Sequence, residues 1–561
     1  MALDTPAGLN GHSFDKISDP SLDVKPEDND LASQKFTMPD SEDNIVYIQG
    51  TRFWAISAAV ATMMFLTNLE VPVVITALVA ITDDIGGFDS VGWVVASYLL
   101  GYVALIVICA KFSDIFGRKF VFLLSIAIFI IFSAACSAAQ TIVQLIVFRA
   151  FQGTGGGACF SLCTIMIVET VPPEKYTKYV SNISVFNALS LLLGPIIGGA
   201  IASDTSWRWI FIINVPIAIP AFVMAFIAIP RDFPHHGQPN YRSKTIKDLM
   251  RKSTLDRVDI PGTALILFAT LALTAAFEEA DKQFPWRSAY VITLLTVSGV
   301  LWIILLTWER YVTLSNKIRE PILPWTFLTN RQMVGIMLNF VLLGGPTVIG
   351  MFIIPQRFQL VYGLSGLQAG VRLIPFTVAI PVASIVASII AGKLKFPPIY
   401  LIMIGSCLQV IGFALLGTLP SGHDIPPRIY GAEFITGCGC GINFSLLFIL
   451  IPFVIEKRYQ SVGMAAGAQT RMMGSAVVLA VSTSVFNTYA RPHLQSLLGV
   501  SNSDGLLLSG AALASLPQEL QEGVRNILAE GYNRQTLVLC VSAGLQVLAS
   551  LLMWEKKQIL V

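Results

Sequence analysis

The sequence predicts an all-α integral membrane protein, and three observations carry that expectation. Of its 561 residues, 54% are apolar and 13% charged, with mean hydropathy +0.69, whereas an ordinary soluble domain is about 25% charged. So little polar surface cannot solvate a globule of this length, and the apolar faces must meet lipid. Apolar runs of about 20 residues, the length a helix needs to cross a bilayer, recur from residue 54 onward. Lys and Arg, finally, gather in alternate connections between those runs.

Residues 1–50 are rich in Asp, Ser, Pro and Lys and hold no apolar core. They read as a disordered cytosolic N-terminal tail, neither signal peptide nor span. Spans follow near 54–81, 92–110, 120–138, 142–168, 180–202, 209–230, 260–277 and 289–309, then near 332–355, 366–391, 398–418, 429–453, 461–487 and 536–554. Fourteen crossings put both termini on one side. With the termini cytosolic, the inside segments hold about 26 of the Lys and Arg residues and the outside loops about 8, the bias that the positive-inside rule requires. The connection AKFSDIFGRK (110–119) and the basic loop 231–258 are then cytosolic. The long external loop 488–535 contains GLLLSGAALASL, too short and interrupted to span, so an interfacial helix is expected there.

A charge near the bilayer centre costs about 2.5–3.5 kcal/mol on insertion scales, so each one asks for a partner or a wet cavity. Glu70 lies in the first span, Arg149 in the fourth, Arg372 in the tenth and Arg471 in the thirteenth. Glu70 and Arg149 fall roughly 16 and 12 Å from the outer ends of their helices at 1.5 Å per residue, so the two meet if their helices are neighbours. They are expected to line or border a central cavity. Glu433, near the start of the twelfth span, is expected to face outside water. Asn68, Asn187, Asn339, Asn443 and Gln469 are candidates for the cavity wall alongside Arg372 and Arg471, and each also suits helix-to-helix hydrogen bonding.

The eight Cys fall mainly within apolar runs and read as small packing residues. Cys159 and Cys163 share a helical face, but no His or carboxylate stands beside them in sequence, and no metal is expected. Scattered basic residues and a net charge of +2 give no patch for nucleic acid. The one Gly-Lys pair, Gly392-Lys393, is followed by Leu394 where a P-loop needs Ser or Thr, and HExxH and GxSxG are lacking. An enzyme is therefore not expected, nor a cofactor, and the energy for any work comes from a gradient.

Taken in order, the motifs resemble the major facilitator superfamily, specifically its 14-span drug:proton antiporter branch and the fungal exporters of toxins and secondary metabolites within it. KFSDIFGRK resembles the signature loop between spans two and three, although Ala110 stands where the family has Gly. RAFQGTGGG resembles the fourth-span motif, with Arg149, Gln152, Gly153 and Gly155. LLLGPIIGGAI resembles the antiporter motif of span five, with Gly194, Pro195, Gly198 and Gly199, and WRWIFIINVP resembles the entry to span six. LEVPVVITALVAI is similar to the first-span motif, with Glu70 where many relatives carry Asp. The second-half echo of the signature loop is reduced to GKLKFPP.

The resemblance implies a major facilitator fold: two six-helix halves, residues 51–230 and 332–561, with two extra helices and a connector inserted at 259–331. It implies that Glu70 and Arg149 couple protons. It also implies that Lys111, Asp114, Gly117, Arg118 and Lys119 form a cytosolic gating loop, Asp114 and Arg118 making charge contacts within the first half and to a facing helix end of the second. The expected function is proton-coupled export of small molecules by a monomer in the plasma membrane, driven by the proton gradient. The competing expectation is an uptake or vacuolar carrier for a polar solute such as an amino acid or iron chelate.

Overall fold

The computed structural model describes residues 47–86, 92–172, 175–234, 236, 256–281, 284–315, 319–421, 424–498 and 516–561. Residues 1–46 of the N-terminal tail, most of the basic loop and all of GLLLSGAALASL but its last residue lie outside them.

Long apolar runs fold as helices because lipid offers no partner for backbone N–H and C=O groups, and a helix satisfies them internally. The first half contributes α1 (Gly50–Ile85), α2 (Gly92–Phe116), α3 (Arg118–Ser137), α4 (Ile142–Thr170), α5 (Tyr176–Asp204) and α6 (Arg208–Ala228). The inserted pair is α7 (Ile260–Glu279) and α8 (Ala289–Leu314). The second half contributes α9 (Arg331–Leu360), α10 (Gln368–Lys393), α11 (Pro398–Gly417), α12 (Arg428–Val454), α13 (Gln460–Leu498) and α14 (Gln518–Leu551). Thirteen of these are long and apolar enough to cross a membrane. The other, α5, is 29 residues long and contains the apolar stretch Leu189–Ile201 among its described residues.

Packing repeats between the halves. In the first, α4 packs on α2, α3 and α1, while α1 also meets α5 and α6, and α3 meets α6. In the second, α12 packs on α10, α11 and α9, while α9 also meets α13 and α14, and α11 meets α14. The two sets coincide when α1–α6 are matched in order to α9–α14, the internal repeat expected of a carrier fold. The halves touch through α5 on α10 and, reciprocally, through α2 on α13. The inserted helix α7 packs beside the second contact, against both α2 and α13, and α8 lies outside it with most of its length exposed.

Two element limits differ from the sequence expectation. Much of the segment expected as an external loop is helix: α13 runs on to Leu498, and α14 begins at Gln518. Polar residues in LQEGVRNILAEGYNR obscure the apolar stripe Val524, Leu528 and Tyr532, which is buried with Phe486, Ala490 and Leu494 of α13. Inside α9, residues Gly345–Ile349 form a π-helical turn, a distortion that recurs at functional sites.

The core divides unevenly. At the end holding the start of α1 and the α2–α3 connection, one apolar cluster runs across both halves, from Ile56 and Phe122 to Phe340 and Ile451. At the opposite end the buried residues form two clusters, one per half, with Val73 and Phe211 in one and Phe358 and Phe413 in the other. The halves are therefore fused at the first end, called proximal below, and separated towards the distal end.

Candidate functional site

A cavity of about 170 Å³ occupies that separation. Asn68 of α1, Tyr98 and Tyr102 of α2, Phe352 in the stretch following the π-turn of α9, Phe444 of α12 and Arg471 of α13 are on its wall, which is mostly apolar. Of the cavity candidates, Asn68 and Arg471 thus line it.

Of the others, Asn339, Asn443, Arg372 and Gln469 do not reach that wall. Asn339 donates to the Gly335 carbonyl at 2.9 Å and accepts from Ser550 at 3.2 Å, and Asn443 donates to Ser406 at 2.8 Å and Gln546 at 2.9 Å. Both join helices within the second half, as amides in lipid do. Arg372 donates to the Tyr430 hydroxyl at the distal end. Gln469 sits beneath the cavity, accepting from the Val107 amide at 3.3 Å and donating to Thr270 at 3.1 Å, so it closes the floor across α2, α7 and α13. The side chain of Asn187 lies outside the described residues. Glu433 does not face water: it is fully buried, and neither carboxylate oxygen has a hydrogen-bond partner among the described residues.

Behind Tyr98 lies the ionic centre. Arg149 donates to Glu70 at 2.5 Å, to the Gln152 side-chain oxygen at 2.7 Å and to the Val94 carbonyl at 3.1 Å. Gln152 in turn donates to Glu70 at 2.9 Å and to Ser133 at 2.8 Å, and Asn214 donates to the same Glu70 oxygen. Glu70, Arg149, Gln152 and Asn214 are all buried, so their charges are compensated inside the bundle rather than by water. The Arg149 guanidinium lies 4.2 Å from the Tyr98 ring centroid and 5.5 Å from that of Phe211, while the Tyr98 hydroxyl is bound to the Thr67 carbonyl at 3.0 Å. The pair thus borders the cavity through Tyr98, and does not line it. Asn214, Ser133 and Tyr98 escaped the sequence reading. Asn214 stands in WRWIFIINVP, where a lone amide in an apolar run was the available signal.

Glycines set the spacing. A methyl group at Gly153 would strike the Tyr98 carbonyl, one at Gly157 the Tyr102 carbonyl, and one at Gly155 the backbone of Phe129. Close backbone contact of α4 with α2 and α3 is what holds Arg149 against Tyr98. Gly194 abuts Pro72 and Gly198 abuts Val73, so α5 meets α1 just beyond Glu70, in a helix already carrying Pro195. A methyl group at Gly199 would meet no described atom within 4 Å.

The proximal end is locked by charge. Gly117 adopts φ +97, which permits the one-residue break between α2 and α3 and places Asp114 beside Arg118. Arg118 pairs with Asp114 at 2.5 Å and with Glu169 of α4 at 2.6 Å. Both Asp114 oxygens accept from Ser461, at the start of α13, at 2.8 Å, which is a contact between halves. Lys111 pairs at 2.6 Å with Glu320 of the α8–α9 connector, which also pairs with Arg257 at 2.6 Å and approaches Arg458 of the second half at 3.9 Å. Burial alone would raise the Glu320 pKa, but Lys111 and Arg257 outweigh it and hold the carboxyl below the usual range. Lys119 donates to the Ile229 carbonyl at 2.7 Å and so ties α3 to the end of α6 within the first half. Glu320, Glu169 and Ser461 have no signature in sequence, because their partners lie in distant segments.

Two helical halves that repeat one packing plan, their cores fused at one end and separate at the other with a cavity between them, define a multi-pass membrane carrier. The Major Facilitator Superfamily model matches residues 56–278. The "MFS-type transporter FPY5" of Fusarium mangiferae is 37% identical over 512 residues, covering 91% of this chain and 85% of that protein. "Multidrug resistance protein 3" of Bacillus subtilis is 31% identical over 483 residues, covering 85% of this chain and 87% of that protein. Among solved structures, the human organic anion transporter MFSD10 superposes with TM-score 0.55 at 14% identity, over 90% of this chain and 100% of that one, a likeness of fold alone. The chain belongs to the major facilitator superfamily.

Proposed function

We propose that this transporter is a proton-coupled antiporter that exports toxins, secondary metabolites or drugs by alternating access. The observation that carries the reading is the Glu70–Arg149 pair, held one side chain away from the cavity by Tyr98. A substrate that displaces Tyr98 alters the surroundings of the guanidinium, and with them the readiness of Glu70 to hold a proton. The likeness to a multidrug resistance protein supports export, and the mostly apolar cavity wall suits bulky apolar compounds.

The proximal end is cytosolic in this reading, because the basic connections lie there. The membrane is the plasma membrane and the working unit a monomer. One proton crossing 100 mV supplies about 2.3 kcal/mol, enough to sustain a substrate ratio of roughly 40 before any pH difference is added. The test is uptake into everted vesicles whose interior is acidified, with ethidium, rhodamine 6G and a panel of fungal toxins. Uptake of at least one compound that collapses with an uncoupler is expected. Absence of gradient-driven uptake across the whole panel rejects the proposal.

A further inference from the structure

Five cationic side chains are buried in the described structure. Arg149 holds Glu70, Arg118 holds Asp114 and Glu169, and Lys111 holds Glu320. The fourth, Arg357, donates to the Asn533 side-chain oxygen at 2.6 Å. The fifth, Arg471, is 5% exposed and has no ion pair or hydrogen bond to any described residue. Its guanidinium lies 5.2 Å from the Phe444 ring centroid and belongs to the cavity wall. Tyr102 is on the same wall, and its buried hydroxyl also lacks a partner.

A buried cation without a counter-charge is strongly destabilising, by more than the face of one aromatic ring returns. Three of the four other buried cations are neutralised by the protein itself, so the counter-charge for Arg471 is left to arrive with a ligand. Glu278 is the other charged side chain on the wall; it lies one residue from the distal end of α7, nearer the mouth, and forms no ion pair with Arg471.

Resting on the transporter reading above, we infer that the cavity takes amphiphilic organic acids, the Arg471 guanidinium receiving their carboxylate while the aromatic wall holds the apolar body. The planar fork of Arg matches a carboxylate through two parallel hydrogen bonds, and the Tyr102 hydroxyl adds a third donor. Arg471 belongs to the second half and Tyr102 to the first, on the directly packed pair α13 and α2. One anionic group held by both therefore bridges the two bodies that must rock, so the ligand's charge favours closure over it.

The test is equilibrium binding to the full-length protein in nanodiscs, corrected with empty nanodiscs, using 1-naphthaleneacetate, 1-naphthaleneethanol and 1-naphthaleneethylammonium. The acetate should bind about tenfold or more tightly than the alcohol or the ammonium. Arg471→Gln should erase that preference while alcohol binding stays within about twofold, which shows that the cavity remains folded, and Arg471→Lys should restore part of it. Equal binding of acetate and alcohol by the unaltered protein overturns the inference, as does preference for the ammonium. Equal binding that weakens without chloride assigns the counter-charge to chloride and overturns it likewise. Binding is read without a proton gradient, so failed export leaves this result standing, and export without acid preference overturns this inference alone.

Discussion

At the residue scale, the account turns on the environment of Glu70. A carboxylate in the apolar part of a helix survives there because Arg149, Gln152 and Asn214 donate to it. Removing one member leaves the other charged and unpaired, so Arg149→Leu should destabilise the protein by about 3–5 kcal/mol, read from unfolding of the purified carrier. Adding Glu70→Gln to that variant should recover a large part of the loss. A double variant as unstable as the single one would show that Arg149 acts through packing on Tyr98 and Phe211 instead. Glu320 makes a second prediction, with its sign fixed by its lowered pKa. Its contribution to the proximal lock is present above the ordinary glutamate range and is lost as pH falls through its lower folded value. Glu320→Gln should remove the Lys111 pairing at neutral pH, and hydrogen exchange across residues 457–465 should rise. The charged pair was legible in the sequence, since intramembrane charges are few and their depths could be matched. The amide and aromatic partners were not, because Asn, Gln and Tyr in a helix give one signal whether they serve a site or join two helices.

At the element scale, α4 is the helix that positions the site, and its glycines allow it. Gly153→Val should push α4 away from α2 at Tyr98 and lower the yield of folded protein, because the atom it meets is backbone and cannot rotate aside. Gly199→Ala meets no described atom and should leave folded yield and melting temperature within error or slightly raised. Comparison of the two in one expression assay separates packing glycines from those that only share a motif. Sequence read the elements well where apolarity was continuous, as in α2 and α3. It read them short where a helix leaves lipid, as at Gln518–Arg534, because hydropathy reports the solvent and not the backbone. The amphipathic stripe there was available as a signal, but only its packing on α13 makes it decisive.

Across the whole molecule, closure of one end and division of the other is the arrangement that the proposed alternating access requires. The lock at the closed end joins Asp114 to Ser461 and Lys111 to Glu320, so both the second half and the connector of the inserted pair hold the α2–α3 loop. Asp114→Asn should keep the Ser461 contact but forfeit the pairing with Arg118, shifting the population towards the state open at the proximal end without loss of membrane insertion. The repeat between halves was foreshadowed by the GKLKFPP echo, and the reach of Asp114 to the second half by the resemblance of the signature loop, whereas the partners Ser461 and Glu320 were not, since they lie hundreds of residues away. In the proposed antiport cycle, protons enter at Glu70, and the proposed function depends on that step. It is tested most directly by proton movement in proteoliposomes, followed with a pH dye while a compound that the protein transports is added. Unaltered protein should release protons in step with substrate entry, and Glu70→Gln should still exchange labelled for unlabelled substrate while moving no protons. Undiminished substrate-driven proton flux in Glu70→Gln would contradict the account.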